Sequence, residues 1–462
     1  MLSNKYEDGL WEINLNLDFW PNAFISNFLN SDRSKLLFKF TLHLNIIFYP
    51  KKTLKKSNYM SILKPFNFLL FFLISFSIIG QEYLEKDSPE SNGMSTEKLL
   101  HLNSVMHSYV DNKDISAIQA AIVKNGKIVH FDSYGYSDIS EKDKLDENDI
   151  FRIASMTKPI VSLALMILYE EGKFKLDDPV YKYIPEFKNL TVKKRKKTKP
   201  VKNHVKIIDL LRHSAGLNFK GPEDYRKVID MNLEEYTKDA VKTPLRFEPG
   251  TTWWYSSSTD ICGYLIEVLS GQKLDVYLKN KIFDPLKMDD TFFNLPKSKI
   301  DRLTTLYVIG ENKELVSFDN KSNSPFKDKV ILLNGSGGLL STTEDYLKFS
   351  VMLLNNGSSN GKQIIKKNTL DLMKEDHSLG LKYKKLVFGK KKGFGLGFEV
   401  VKEDDTKFGS KGTFGWGGMF GTYFRVDPKE DMVYIYMTQS FETYRLKLAD
   451  KFRGLVYESI IE

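Results

Sequence analysis

Residues 151–160 read FRIASMTKPI, and this stretch places a polar Ser-x-x-Lys pair at the start of an apolar segment. The segment Ile160–Glu171 is apolar on nearly all sides and is followed by Gly172, which predicts a buried helix. Pro159 is tolerated in the first turn of such a helix. The sequence therefore predicts that Ser155 lies at the amino terminus of a buried helix, where backbone N–H groups favour negative charge.

The spacing of Ser155 and Lys158 brings both side chains onto one helix face. A lysine drawn into an apolar site loses its proton more easily, so Lys158 is a candidate base toward the Ser155 hydroxyl. A capping serine beside a surface lysine is the alternative, and the motif alone does not decide between them. The same spacing recurs elsewhere in the chain, at Ser61, Ser95, Ser270, Ser324 and Ser359.

A second motif places a tyrosine on a turn. Residues 247–257 read FEPGTTWWYSS and end at a candidate helix, Ser258–Ser270. A tyrosine near a lysine can relay a proton to a leaving group, which makes Tyr255 a candidate acid–base residue. An aromatic packing corner is the alternative interpretation.

A third motif is a late, glycine-rich strand. Residues 414–421 read FGWGGMFG. Glycine weakens a strand unless a ligand or another backbone must approach closely, so a substrate lying along this edge would explain the glycines. A backbone N–H in this segment could then complete an oxyanion hole with that of Ser155. A bulge or bend of the sheet is the alternative.

The three motifs occur in the order found in the serine β-lactamase and penicillin-binding-protein superfamily, and the chain resembles its class C-like branch over about residues 90–460. The resemblance implies an α/β fold of the β-lactamase and transpeptidase type, with helices flanking an antiparallel sheet and an added, mostly helical domain. Further matches in the same order are LDDP at 176–179, LRHSAGL at 211–217, GGLLST at 337–342 and GLG at 395–397.

The resemblance also implies roles for individual residues. Ser155 would be the acylated nucleophile and Lys158 its proton acceptor. Tyr255 would be the partner base and the acid for the leaving group. The backbone N–H groups of Ser155 and Met419 would form the oxyanion hole.

Two positions depart from the pattern of the lactamases and peptidases. Ser257 stands where the family's Tyr-x-Asn motif has its amide, and Trp416-Gly417 stand where those enzymes have Lys or His followed by Thr. Tryptophan cannot supply a cation for the carboxylate of a substrate. The Trp-Gly-Gly sequence, which ends at Gly418, instead resembles the family VIII esterases. Ser257, Trp416, Gly417 and Gly418 are therefore the candidate substrate-binding residues.

The implied function is a serine hydrolase that forms an acyl-enzyme and acts on small esters. A β-lactamase or a D-alanyl-D-alanine carboxypeptidase is the alternative within the same fold. A catalytically inactive penicillin-binding-like protein is the alternative from another class, and the intact Ser155, Lys158 and Tyr255 set argues against it. The expected ligand is a small ester or amide, and no cofactor is implied.

Composition narrows the remaining classes. Cys262 is the single cysteine among 462 residues, and the seven histidines form no H-x-x-x-H pair, so a metal site has little support. The net charge is +9, but residues 1–80 contribute +4, and the +5 on the other 382 residues is mild. Nucleic-acid binding is therefore not expected. The densest basic run, 193–197, is interpreted as a solvated surface loop.

The order of predicted elements suggests a domain organisation. A helix at 95–110 precedes a hairpin around Asn125-Gly126, and β-rich segments return near the carboxyl end at Phe394–Lys402, Gly418–Val426 and Met432–Thr438. We therefore expect residues 90–145 and 331–462 to form an α/β sandwich. Residues 146–330 are expected to form a mostly helical domain, and Phe441–Ile461 a closing helix.

The amino terminus resembles an export signal in an unusual place. Residues 68–79 form a twelve-residue apolar run after Lys64, which suits a signal peptide better than a membrane span. Because signal peptides begin near the start of a protein, we expect Met60 to be the true start and 1–59 to be non-native or disordered upstream sequence. Residues 60–80 would be removed before Gln81, giving an exported protein, periplasmic or secreted. A membrane anchor is the alternative.

Overall fold

A computed structural model describes most of the chain after the apolar run. The described residues are 84–194, 197–219, 227–383, 387–405 and 409–461, with the backbone of 6–7 and 10–11. Residues Gln81–Glu462 form one compact unit and Met1–Gly80 another. In the amino-terminal unit, the strands Tyr6–Glu7 and Leu10–Trp11 pair antiparallel. The predicted export segment 60–80 lies outside the described residues.

An antiparallel sheet, eight strands wide within the described residues, is the centre of the compact unit. The strands are β1 (Ala117–Lys124), β2 (Lys127–Asp138), β3 (Asp143–Lys144), β4 (Lys392–Phe394), β5 (Glu399–Val401), β6 (Phe414–Gly418), β7 (Thr422–Asp427) and β8 (Met432–Met437). Their order in the sheet is β4-β5-β6-β7-β8-β1-β2-β3, so the carboxy-terminal strands pair with the amino-terminal hairpin. The fold class expected from the sequence is thereby confirmed.

Within the described residues of the unit Gln81–Glu462, four two-stranded pairs lie outside this sheet. They are Phe151–Arg152 with Leu340–Ser341, Thr191–Lys194 with Lys197–Pro200, Leu306–Ile309 with Leu315–Asp319, and Ser358–Ser359 with Lys362–Gln363. The second pair contains most of the basic run. That run is therefore part of an exposed hairpin rather than a loop, although Arg195 and Lys196 lie outside the described residues.

Helices cover both faces of the sheet. They are α1 (Thr96–Asp111), α2 (Thr157–Glu170), α3 (Ile207–Leu211), α4 (Leu233–Ala240), α5 (Ser258–Ser270), α6 (Leu274–Leu278), α7 (Asp284–Leu286), α8 (Thr343–Leu354), α9 (Lys367–Lys374) and α10 (Leu448–Glu458). None of the helices in the described part of the chain is both long enough and apolar enough to cross a membrane.

Alternate residues of β1 and β8 enter two different cores. On β1, Ile118 and Ile122 pack with α1 and α10, whereas Ala121 and Val123 face the core shared by α2 and α8. This period of two is the one that places successive side chains on opposite faces of a sheet. The hairpin turn is as predicted, since Asn125 adopts the left-handed conformation that Asn-Gly turns require, with φ +54°.

The helix that decides the position of the site is buried on all sides. In α2, every residue from Thr157 to Leu168 is buried, as its uniformly apolar sequence predicts. The helix starts at Thr157, three residues earlier than the predicted apolar stretch. Lys158 is therefore inside α2, and Ser155 lies in the 3-10 turn Ala154–Met156 that precedes it.

Some predicted boundaries are wrong. The segment Gly418–Val426 is interrupted by the turn between β6 and β7, where Gly421 has φ +79°. The segment Phe394–Lys402 is likewise split between β4 and β5. The predicted helix Phe441–Ile461 is helical only over α10, with an isolated 3-10 turn before it. Local propensity did not reveal these turns, because they depend on strand pairing across the sheet.

Candidate active site

The turn that presents Ser155 is held in an unusual backbone conformation. Ala154 has φ +45°, a left-handed value that an alanine adopts only under constraint. The constraint comes from both sides, because the Ile153 N–H donates to Leu339 O (3.2 Å) and Thr422 Oγ1 donates to Ile153 O (3.0 Å). Strand β7 and the chain before α8 therefore fix the turn.

A buried arginine anchors the same turn one residue earlier. The Arg152 guanidinium forms an ion pair with Asp319 and donates to Thr304 O (2.6 Å). The Gln439 side chain bonds both backbone groups of Arg152, accepting from its N–H (3.1 Å) and donating to its carbonyl (3.2 Å). No local sequence pattern indicates these contacts, since the partners come from segments far apart in the chain.

Lys158 lies against Ser155, as the helical spacing predicts. Its Nζ donates to Ser155 Oγ (3.2 Å) and to Ser336 O (2.6 Å). It also lies 4.7 Å from the centre of the Tyr255 ring. The lysine is 2% exposed. A buried amine one hydrogen bond from a hydroxyl is placed to accept the hydroxyl proton.

Tyr255 is half-buried, and its hydroxyl receives a hydrogen bond from an unexpected donor. The indole N–H of Trp416 donates to the Tyr255 oxygen at 3.3 Å. Their rings lie 5.5 Å apart, and Trp253 and Phe394 extend the aromatic cluster behind them. The indole N–H therefore occupies one acceptor site of the Tyr255 hydroxyl oxygen.

His213 is a neighbour of Tyr255 to which the sequence assigned no role. Its ring centre lies 4.8 Å from that of Tyr255, and its Nδ1 is 3.4 Å from Ser256 Oγ. Complete burial, together with the charge of Lys158, lowers the pKa of His213 well below its ordinary value. The imidazole is therefore neutral and adds no second positive charge beside Lys158.

The end of β6 meets the nucleophile turn. A Cβ at Gly418 would collide with Ile153 O and with Thr422 Oγ1, so only glycine permits this approach. Met419, the next residue after Gly418, lines the same cavity as Ser155. The Met419 N–H donates no hydrogen bond within the described residues, which leaves it available for an oxyanion.

The glycines of β6 also allow close packing of this strand against β7. A Cβ at Gly415 would meet Arg425 Cα and Cδ at 3.0 Å, and one at Gly417 would meet Tyr423 at 3.5 Å. The nearest atom to each added Cβ is a backbone oxygen of β7, that of Phe424 or Thr422, so the backbone of β7 itself lies against the glycine positions of β6. Close approach within the sheet accounts for Gly415, which the sequence interpretation had connected with substrate.

An open cavity of about 590 Å³ borders Ser155. Tyr255, Trp416, Gly417 and Gly418 line it, so the structure brings these predicted residues together. Ser257 is placed elsewhere, at a separate cavity of about 50 Å³ beside Asn218. A larger groove of about 710 Å³ lies between α1 and β2 and contains none of the predicted site residues.

The cavity also has two cationic residues that sequence reasoning missed. Arg425 is almost buried, and its Nη2 is paired with Glu399 Oε1 at 2.7 Å. Lys447, just before α10, is exposed and forms no ion pair within the described part of the chain. Both reach the cavity through tertiary packing, so no local motif could have indicated them.

The fold and the Ser155–Lys158 pair define a serine hydrolase, an enzyme. The sequence model of the Beta-lactamase family matches residues 102–457. The chain therefore belongs to the β-lactamase family, as the resemblance of its motifs indicated.

Individual relatives carry different names. An Escherichia coli (strain K12) protein provisionally named a D-alanyl-D-alanine carboxypeptidase is 26% identical, with 80% of this chain and 89% of the relative covered. Esterase EstB of Burkholderia gladioli is 29% identical, over 42% of this chain and 50% of the esterase. The solved structure of EstCE1, a hydrolase with promiscuous acyltransferase activity, superposes with a TM-score of 0.68 at 23% identity, covering 78% of this chain and 98% of EstCE1.

The first prediction concerns the chemical roles. Ser155→Ala should abolish labelling by a fluorophosphonate probe, because no other group can form the acyl-enzyme. Lys158→Ala and Tyr255→Phe should each lower kcat/KM by about 10²–10⁴, the scale of a positioned proton-transfer group. Rates and circular dichroism spectra measured together check this. More than a few per cent of wild-type activity in Ser155→Ala would refute the nucleophile.

The second prediction concerns the contact at the end of β6. Gly418→Ala should displace the nucleophile turn and lower kcat/KM by roughly a hundredfold, the cost of a misplacement near 1 Å. Gly454→Ala is the matched control, because a Cβ on that α10 glycine meets no atom within 4 Å. Equal activity of the two variants would contradict the steric argument.

Proposed function

We propose that the protein is a carboxylesterase that hydrolyses small esters through an acyl-enzyme on Ser155. The observation that carries this proposal is Trp416, which lines the cavity and hydrogen-bonds Tyr255 at the position where lactamases place a cation. An indole offers an apolar wall to the substrate. A neutral ester needs no cation, whereas penicillins and peptides ending in D-alanine carry a carboxylate.

The geometry supports a two-step reaction. Lys158, in its neutral form, accepts the Ser155 proton while Oγ attacks the ester carbonyl carbon. The N–H groups of Ser155 and Met419 receive the negative oxygen that develops. The proton then passes through Tyr255 to the departing alcohol, which leaves an acyl-Ser155 ester.

Deacylation repeats the proton transfers with water in place of the serine. Water attacks the acyl carbonyl and gives up a proton to the Lys158–Tyr255 pair. The tetrahedral intermediate collapses to the carboxylic acid, and Ser155 regains its proton. No net charge or proton is gained by the protein over one cycle.

A β-lactamase or carboxypeptidase activity is the second candidate, and Lys447 is the observation that favours it. This exposed cation lines the same cavity and is not neutralised by an ion pair within the described residues. The carboxypeptidase name of the Escherichia coli relative described above also supports this second candidate. A substrate carboxylate would have to extend along the cavity toward α10 to reach Lys447.

The third prediction separates the two candidates. A charge-assisted hydrogen bond to a carboxylate contributes about 1.5–3 kcal/mol, and without it the capture of an anionic lactam falls roughly ten- to a hundredfold. We therefore expect kcat/KM for a short p-nitrophenyl ester to exceed that for a chromogenic cephalosporin by at least about tenfold.

A matched pair of variants sharpens this comparison. Trp416→His combined with Gly417→Thr should narrow the gap by raising the lactam rate, whereas Trp416→Phe, which adds no cation, should not. Efficient cephalosporin turnover by the unmodified protein, lost in Lys447→Gln, would overturn the esterase proposal in favour of the second candidate.

The fourth prediction concerns export, which we propose on the apolar run at 68–79 and its Lys64 flank. Protein made in its native host should begin near Gln81 and carry nothing of residues 1–59. Amino-terminal sequencing or intact mass decides this. A mature chain that retains Trp11 or Trp20 would refute the start at Met60. A membrane-bound chain that retains 60–80 would indicate an anchor instead.

A further inference from the structure

Lys158 is held by fewer side chains than the family pattern leads one to expect. The amide of the Tyr-x-Asn motif is replaced by Ser257, a residue that lines another cavity. Within the described residues, the hydrogen-bond acceptors of Lys158 Nζ are Ser155 Oγ and Ser336 O. The Ser336 carbonyl is the closer of the two, at 2.6 Å against 3.2 Å. The position of Ser336 therefore controls where the lysine nitrogen lies.

Ser336 is fixed from its other side by a buried carboxylate. Its backbone N–H donates to Asp260 Oδ1 at 2.9 Å, and Asp260, in the first turn of α5, is fully buried. The Asn334 side chain also accepts from the same N–H at 2.9 Å. Ser336 is thus bonded to the Asp260 carboxylate through its backbone N–H and to the Lys158 amine through its carbonyl.

The loop that contains Gly335 and Ser336 has no room to move toward α5. A Cβ at Gly335 would lie 2.7 Å from Thr259 O, so the loop packs directly on the start of α5. Further along, Leu339 N–H donates to Thr157 Oγ1 at 3.1 Å. A displacement of the loop at Asp260 would therefore be felt at Lys158 and at the turn that carries Ser155.

We propose that Asp260 is a positioning residue for Lys158: its carboxylate fixes the Ser336 backbone, and the Ser336 carbonyl holds the lysine nitrogen against Ser155. Asp260 touches neither substrate nor the reacting atoms. Its negative charge, on the opposite side of Ser336, also offsets the cost of burying the ammonium group. The inference rests on the proposed acylation of Ser155 but on no particular substrate.

The experiment measures the rate of Ser155 labelling by a fluorophosphonate probe as a function of pH. Asp260→Ala removes the acceptor, and we expect labelling to slow by roughly a hundredfold, the cost of a small misplacement. Asp260→Asn keeps an acceptor oxygen but removes the charge, so its rate should fall less. Because Asp260→Asn also removes a negative charge from the side of Ser336 opposite to Lys158, it should change the pH dependence of the labelling rate.

The matched control is Asp427→Asn, at the far end of β7. Asp427 is an equally buried carboxylate that accepts N–H bonds from Lys429 (3.0 Å) and Glu430 (3.2 Å). Its loss should lower the melting temperature without slowing the labelling or shifting its pH dependence. The final extent of labelling counts folded sites, so partial unfolding does not distort the rates. If Asp260→Ala does not fold, Asp260→Asn and its pH profile decide.

Two outcomes would overturn the proposal. One is an Asp260→Asn variant whose labelling rate is within about twofold of the wild-type rate at every pH, together with an Asp260→Ala variant that is equally unaffected if it folds. The other is an Asp427→Asn variant that is slowed as much as Asp260→Asn, which would show a general effect of losing a buried carboxylate. A wild-type protein that the probe does not label would instead refute the proposed function.

Discussion

The burial of one lysine ammonium is the constraint on which the rest of the site depends. A charge out of water is costly unless its hydrogen bonds are made inside the protein. Lys158 meets that requirement with Ser155 Oγ, Ser336 O and the face of the Tyr255 ring. These partners come from three separate segments, so the surrounding helices must pack before the lysine is satisfied. The uniformly apolar surface of α2 provides that packing.

Close packing also explains the backbone conformation around Ser155. The left-handed Ala154 and the side-chain-free Gly418 allow two stretches of backbone to approach within contact distance. A conformation that costs free energy at Ala154 persists because Ile153 is hydrogen-bonded on both sides. The result is that Ser155 and Met419 line the same cavity.

The sequence predicted those parts of the site that depend on short-range patterns. Helical periodicity placed Lys158 beside Ser155, and the order of motifs indicated the family and the sheet. It did not predict Asp260 or Lys447, because each reaches the site from a distant part of the chain through packing rather than through local spacing. Ser257 was assigned to the substrate site by analogy with an asparagine, and in the structure it lines a different cavity.

Trp416 connects substrate specificity with acid–base chemistry, because it both lines the cavity and donates a hydrogen bond to Tyr255. A lysine or histidine at this position would be available to a substrate carboxylate and would bring positive charge near Tyr255. The indole instead gives its single N–H to the tyrosine oxygen and turns an apolar surface to the cavity. One substitution therefore removes the attraction for an anionic substrate and supplies a neutral donor to Tyr255. Because indole has no second donor, it cannot serve both Tyr255 and a carboxylate at once. A substrate anion in this cavity must then depend on a cation from α10 or β7, and the nearly buried Arg425 is already paired with Glu399.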